Sequence, residues 1–267
     1  MSVMRPEQPT PDYVPGHDLL KGKVVVVTAA AGAGIGAAVA RRALEEGAST
    51  LVISDTHERR LAEAQEALAA EFGADRVHSL LVDVTDEAQV QALLDLADEH
   101  GGVDVMINNA GLGGTADVLE MTDDEWSKVL DITLTGTFRC IRAAGTRMRD
   151  AGKKGVIVNN ASVIGWRAQE GQAHYAAAKA GVMALTRCAA LDVAPHGIRV
   201  NAVAPSLAMH PFLAKVTSDE LLAELKQREA FGRAAEPWEV ANVMVFLASD
   251  YSTYLTGEVV SVSSQHA

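Results

Sequence analysis

Positive charge is scarce in this 267-residue chain: 23 lysines and arginines stand against 35 aspartates and glutamates, for a formal net charge of −12. A surface of that sign repels a phosphate backbone, which argues against nucleic acid as a partner. Cysteine is scarcer still. Cys140 and Cys188 are far apart and form no CxxC pair, so they read as reduced thiols of a cytoplasmic protein rather than a disulfide framework. The histidines are scattered without HExxH or Cys/His ligand spacing, and no metal is expected. Long apolar runs are absent, which leaves nothing to span a bilayer. The N-terminal stretch carries Pro6, Pro9, Pro11 and Pro15 and lacks the apolar core of a signal peptide. Residues 1–20 are therefore expected to form an extended arm, disordered or lying on a neighbouring subunit.

What is present is a hydrophobic content of 48%, ample for one packed domain over residues 21–267. Strand-like and helix-like segments alternate. The strands are expected at Val24–Thr28, Leu51–Ser54, Val77–Val84, Val103–Ile107, Gly155–Ser162, Ile198–Val203 and Glu258–Val262. Helices are expected at about 33–46, 57–72, 86–100, 122–149, 173–194 and 237–248. Strict alternation predicts an α/β fold: a doubly wound parallel sheet of about seven strands with helices on both faces. Ligands of such sheets bind at the carboxyl ends of the strands, so each strand end carries weight.

The first strand runs into TAAAGAGIG (Thr28–Gly36). Gly32, Gly34 and Ile35 sit where glycine lets a backbone approach a pyrophosphate and a helix N-terminus offers free N–H groups. Asp55 ends the second strand, about twenty residues on, where a carboxylate accepts from both adenosine ribose hydroxyls and repels a 2′-phosphate. This favours NAD over NADP; the alternative is a helix-start aspartate, and Arg59 and Arg60 lie close enough to meet a 2′-phosphate. Asp83 and Val84 end the third strand, with Asp83 either facing adenine or capping the next helix. Asn109, Ala110 and Gly111 end the fourth, where small residues permit close approach to a cofactor, and Asn108 beside them reads as structural. Ser162 ends the fifth strand. Tyr175 and Lys179, spaced i and i+4, share one helix face. A phenol ionises near pH ~10; an adjacent ammonium is expected to lower that value, so that Tyr175 exchanges a proton with a substrate oxygen held by Ser162.

With these motifs, NAVAP (Asn201–Pro205) and FLASD (Phe246–Asp250), the sequence resembles the short-chain dehydrogenase/reductase family over nearly all of residues 20–262. The resemblance implies a Rossmann-type fold, NAD(P), hydride transfer at a C–OH/C=O carbon and usually a homotetramer, with a homodimer as the alternative. It implies that Lys179 also grips the nicotinamide ribose and that Pro205, Ser206 and Leu207 lie beside the nicotinamide. Thr133 stands where the family has a catalytic asparagine, whose main-chain carbonyl holds a water linking the lysine to solvent. Ala29 replaces the first glycine of the family's TGxxxGxG turn, and Ser206 replaces the usual glycine after Pro205. The AAAGAGIG turn together with the SVSSQH tail also looks like a subgroup from actinobacterial sterol catabolism, similar to dehydrogenases for CoA thioesters of steroid-ring fragments.

Residues 206–235, with one helical patch near Glu220–Ala230, are expected to form a substrate lid. Trp166, Met209, Phe212 and Leu213 would line an apolar pocket or simply pack the lid, and His210 would orient a polar group or face solvent. The function expected is an NAD(H)-dependent interconversion of a secondary alcohol and a ketone on a lipid-like small molecule, steroid-derived or a hydroxyacyl-CoA thioester. The alternatives are an NADPH-dependent 3-oxoacyl reductase and a non-catalytic dinucleotide-binding protein.

Overall fold

The computed structural model describes residues 6–209 and 219–265. Seven parallel strands form one sheet in the order β3-β2-β1-β4-β5-β6-β7. They are β1 (Val24–Val27), β2 (Thr50–Asp55), β3 (Val77–Leu81), β4 (Val105–Asn108), β5 (Val156–Asn160), β6 (Arg199–Pro205) and β7 (Val259–Val262). The helices are α1 (Ile35–Glu45), α2 (Glu58–Phe72), α3 (Glu87–Asp98), α4 (Asp123–Leu130), α5 (Gly136–Asp150), α6 (Ala173–Val193), α7 (Asp219–Arg228) and α8 (Pro237–Ala248).

The side-chain period of two sorts each strand between two cores. Val25 and Val27 pack with α1, α2 and α8 on one face, whereas Val24 and Val26 pack with α3, α5 and α6 on the other. Both faces are covered, which is why β1 reads as four consecutive valines rather than as an alternation. The chain leaves β1 for β2 on one side, and β4 lies on the other. The order therefore reverses between β1 and β4, opening a crevice at their carboxyl ends.

Several expected boundaries move for local reasons. The single helix expected over 122–149 is two helices joined by a π turn, Asp131–Thr135. The strand expected to reach Val84 stops at Leu81, and Asp83 Oδ1 then accepts from Thr85 N and Thr85 Oγ1, turning the chain toward α3. Ser162 lies beyond β5, as the cap of a short 3-10 turn, Val163–Gly165.

Arm residues 13–19 lie along α1 of their own chain. Glu46, fully buried, accepts from His17 N at 2.7 Å and Leu19 N at 3.1 Å, and pairs with Arg42 at 2.5 Å. Arg42 also donates to the carbonyls of Val14 and Pro15, and Tyr13 packs edge-on against Trp238. Burial acts to raise the Glu46 pKa, but the two backbone N–H groups and Arg42 outweigh it and hold the carboxyl below its ordinary 4.5. A carboxylate depressed in the folded state stabilises above its unfolded pKa and loses that contribution as pH falls through the folded value. Glu46→Ala is expected to lower stability at pH 7 by roughly 2–3 kcal/mol, below the usual cost of breaking a deep ion pair because only one strand of chain covers this one. Urea denaturation should show the deficit shrinking as pH drops below 4.5; an unchanged midpoint at pH 7 refutes this role.

Candidate active site

The β1–α1 loop is open above and tight below. A Cβ placed on Gly32 or Gly34 would meet nothing within 4 Å, whereas one on Gly36 would lie 2.3 Å from Ala29 O and 2.4 Å from Asn109 Nδ2. Gly34 caps α1 without a side-chain hydrogen bond, so the first turn's N–H donors face the open side of the loop. These features fit a pyrophosphate. Ala29 adopts φ 51°, the left-handed region where the family pattern has glycine.

Beneath the loop, hydrogen bonds tie three strand ends together. Thr28 Oγ1 accepts from Asn109 N at 3.0 Å and Ala110 N at 3.1 Å, and Asn109 Nδ2 donates to Ala29 O at 3.0 Å. Asn160 Nδ2 donates to Asn109 Oδ1 at 2.9 Å, and Lys179 Nζ donates to Asn160 O at 2.5 Å. A second, deeper chain runs from Asn108 Nδ2 to Asn159 Oδ1 and from Asn159 Nδ2 to Thr186. Asn108 is thus structural. Asn160 was missed in the sequence, although the doublets Asn108–Asn109 and Asn159–Asn160 at adjacent strand ends were its signal.

Ser162, Tyr175 and Lys179 come together at the end of β5. The Ser162 hydroxyl neighbours the Tyr175 phenol, whose pKa it acts to lower, and Ser162 Oγ accepts from Ile164 N at 3.3 Å. Lys179 is buried, with Nζ 5.5 Å from the centre of the Tyr175 ring. Gly165, another position the sequence reading passed over, lets the Ser162 turn rest on α6. A Cβ there would lie 2.8 Å from Met183 Cε and 3.0 Å from Ala180 N.

The electrostatics correct one expectation. Burial raises the Tyr175 phenol above 10.0, with Ser162 acting in the opposite direction. Burial also pushes the Lys179 ammonium down to about 8. Desolvation acts on both groups: it holds the proton on the phenol and weakens the ammonium's hold on its own, while Lys179 stays largely charged at neutral pH.

Thr133 is fully buried in the π turn. Its hydroxyl accepts from Leu112 N at 3.0 Å and donates to Leu112 O at 3.3 Å, while its carbonyl accepts from Thr137 Oγ1 at 2.7 Å. The side chain at this position clamps the loop after β4, a role that the sequence reading, concerned with the carbonyl, did not anticipate. A Cβ on Gly111 would lie 3.4 Å from Lys179 Nζ and 3.7 Å from Thr133 Oγ1, so both groups border that glycine.

Asp55 lies beside the β1–α1 loop, accepting from Ala31 N at 3.2 Å and from His57 N at 3.0 Å. Arg59 is drawn to Glu63 at 3.0 Å. Asp83 is exposed and serves the Thr85 turn, whereas the cap of α3 is Asp86, which accepts from Ala88 N at 2.8 Å. The Val84 side chain packs into the core, where a Cβ on Gly136 would meet it at 2.6 Å, so only its backbone is left to face a ligand.

After Pro205, Ser206 N donates to Val262 O and Leu207 N to Glu229 Oε1 at 3.4 Å; Ala208 bridges to Ala235. Trp166 is exposed and Met209 half-buried. His210, Phe212 and Leu213 lie outside the described residues. Among the described residues no helix is long and apolar enough to cross a membrane.

Comparison with known proteins gives a consistent outcome. A family model described as enoyl-(acyl carrier protein) reductase matches residues 29–264. The chain is 63% identical over 257 residues to a Mycobacterium tuberculosis protein, (5R,7aS)-5-hydroxy-7a-methyl-1-oxo-2,3,5,6,7,7a-hexahydro-1H-indene-carboxyl-CoA reductase, covering 96% of this chain and 97% of that one. It is 42% identical over 242 residues to cis-4-hydroxycyclohexanecarboxylate dehydrogenase of Sinomonas cyclohexanicum, covering 90% and 94%. The crystal structure of a short chain dehydrogenase from Mycobacterium smegmatis superposes with a TM-score of 0.86 at 55% identity, covering 97% of this chain and 99% of that one. The fold, the strand-end site and these relatives agree: the chain belongs to the short-chain dehydrogenase/reductase family of oxidoreductases acting on secondary alcohol and ketone groups.

Proposed function

We propose that this enzyme uses NAD(H) to reduce a ring ketone on a carboxyl-bearing, lipid-like substrate, with a CoA thioester of a steroid-derived fragment as the leading candidate. The observation that carries the reading is the Ser162 hydroxyl beside the Tyr175 phenol, with the buried Lys179 Nζ 5.5 Å from the centre of the phenol ring. The substrate class is supported by the two relatives, whose names carry a ring and a carboxyl group.

The residues fit a dinucleotide. Gly32, Gly34 and Ile35 would hold the pyrophosphate, Asp55 the adenosine ribose, and Asp83 with the Val84 backbone the adenine. Asn109, Ala110 and Gly111 would floor the crevice, while Pro205, Ser206 and Leu207 would flank the nicotinamide. When bound, the dinucleotide supplies the hydride. The chain's own residues handle the proton. Ser162 Oγ–H and Tyr175 Oη–H both donate to the carbonyl oxygen, polarising it, and as negative charge develops there the Tyr175 proton crosses to it. The ammonium of Lys179 then stabilises the phenolate left behind, and the Thr133 carbonyl offers its second lone pair to a water that restores the proton. The raised phenol pKa keeps the proton on Tyr175 at neutral pH until charge develops on the substrate oxygen.

Three outcomes test the reading. Tyr175→Phe should retain NADH affinity, measured by fluorescence, yet lose roughly 10²–10⁴-fold in turnover, the usual contribution of a positioned acid; activity within a factor of three of wild type removes Tyr175 from the mechanism. NADH affinity should fall as pH rises through about 8, where Lys179 loses its charge, and Lys179→Met should flatten that profile; a wild-type affinity independent of pH between 7 and 9.5 contradicts a ribose contact by the ammonium. Asp55→Ala should weaken NADH by about tenfold, the scale of lost charge-assisted hydrogen bonds, without weakening NADPH. If both cofactors weaken equally, Asp55 does not select between them.

A further inference from the structure

Five residues beyond Ser162, Arg167 leaves the same turn. Its backbone N–H donates to Val163 O at 3.0 Å, an i→i−4 bond that closes the turn Ser162 caps. The side chain does not run out to solvent. Its Nη1 donates to Gln265 Oε1 in the segment after β7. Gln265 Nε2 in turn donates to Glu229 Oε1 at 2.6 Å. Glu229 is buried and also accepts from Ser264 Oγ at 2.8 Å and from Leu207 N at 3.4 Å. The other terminal nitrogen of Arg167, Nη2, is buried and has no hydrogen-bond partner.

A guanidinium is always charged and carries N–H donors in a fixed fork, and burying one of them without an acceptor is costly. The nearby carboxylate, Glu229, bonds Gln265 rather than Arg167, so the positive charge is held in place without being directly paired. The position of this network narrows what could complete it. β5, β6 and β7 are neighbours in the sheet, and the turn after β5, the segment after β6 and the tail after β7 all meet at Arg167 and Glu229. They share the rim that carries Ser162 and Tyr175, on the side away from the β1–β4 crevice. That placement puts Nη2 at the end of the sheet that carries Ser162, away from the β1–α1 loop.

The geometry points to Arg167 as the residue that reads the substrate's carboxyl group, through Nη2 and a carboxyl-derived oxygen, while the ring ketone meets Ser162 and Tyr175. This deepens the function proposed above and rests on it. Two sources share the chemistry: the anionic oxygen of a free carboxylate and the carbonyl oxygen of a thioester. Gln265 and Glu229 act as positioning residues, since they hold the guanidinium plane and, through Leu207 N, the strand-six segment. The chain's overall charge of −12 makes one fixed cation at this rim a selective feature for an acidic or acyl group.

The test compares wild type, Arg167→Gln and Arg167→Lys on cyclohexanone, 4-oxocyclohexanecarboxylate and the corresponding 4-oxocyclohexanecarbonyl-CoA, with NADH saturating. The readout is the ratio of kcat/KM for each carboxyl-bearing ketone to that for cyclohexanone. In Arg167→Gln this ratio should fall at least tenfold, through KM rather than kcat, with Arg167→Lys intermediate for the carboxylate. A fall confined to the carboxylate identifies charge pairing, and one confined to the thioester identifies the carbonyl contact; either supports the proposal. An unchanged ratio, including equal losses on all three ketones, overturns it and leaves Arg167 as a strut for the tail. Calorimetric titration of the NADH complexes with cyclohexanecarboxylate separates this inference from the reaction itself. Binding to wild type that is lost in Arg167→Gln, in the absence of turnover of any of the three ketones, supports the carboxyl site and rejects the proposed reaction. Equal binding to both proteins overturns the carboxyl site.

Discussion

The chain of hydrogen bonds from the β1–α1 loop to the buried lysine is the constraint on which the site depends. Ala29 and Thr28 hold Asn109, Asn109 holds Asn160, and the Asn160 carbonyl holds Lys179. The first two links join the ends of neighbouring strands and the last reaches α6, so the β1–α1 loop and the Tyr175–Lys179 face of α6 are set relative to one another by one network. Its members are partly or fully buried, where hydrogen bonds are stronger and a missing partner costs more. Gly36 belongs to the same constraint, because no other residue allows α1 to approach Ala29 O and the Asn109 amide so closely.

Burial also gives Tyr175 and Lys179 their character. Lys179 lies almost wholly out of solvent, and the same desolvation that raises the Tyr175 phenol brings the ammonium to about 8. The pair is therefore poised differently from a simple ion pair: in the proposed mechanism the tyrosine keeps its proton until charge develops on a substrate oxygen, and the lysine then stabilises the phenolate. Thr133 and Gly165 keep this arrangement in register from two sides. Thr133 fastens the loop after β4 through both backbone groups of Leu112. Gly165 seats the Ser162 turn on α6, where any side chain would have to displace the helix backbone or Met183.

Much of this was legible in the sequence, because it rests on local rules. Four valines in a row followed by a glycine-rich turn mark a doubly covered strand entering an open loop at the start of a helix. The i, i+4 spacing of Tyr175 and Lys179 places them on one face whatever the helix packs against. Other features depend on contacts between distant segments and leave no local mark. The arm reads as loose because its prolines exclude regular structure, yet Glu46 and Arg42, thirty residues on, bind it to α1. Glu229 and Gln265 leave no local mark of the contact that the segment after β6 makes with the tail. The phenol's shift was misread because an adjacent lysine suggests a charge effect, whereas the depth of burial, unknown from sequence, outweighs it. The π turn at Asp131–Thr135 was likewise invisible to helical periodicity.

The most direct test is a crystal structure of the ternary complex with NADH and a non-reducible alcohol analogue of the ring ketone. The account predicts the analogue's oxygen within hydrogen-bonding distance of both Ser162 Oγ and the Tyr175 phenol, the pyrophosphate over Gly32 and Gly34, and the nicotinamide beside Pro205–Leu207. A dinucleotide seated away from the β1–β4 crevice, or an analogue oxygen that meets neither hydroxyl, would contradict it.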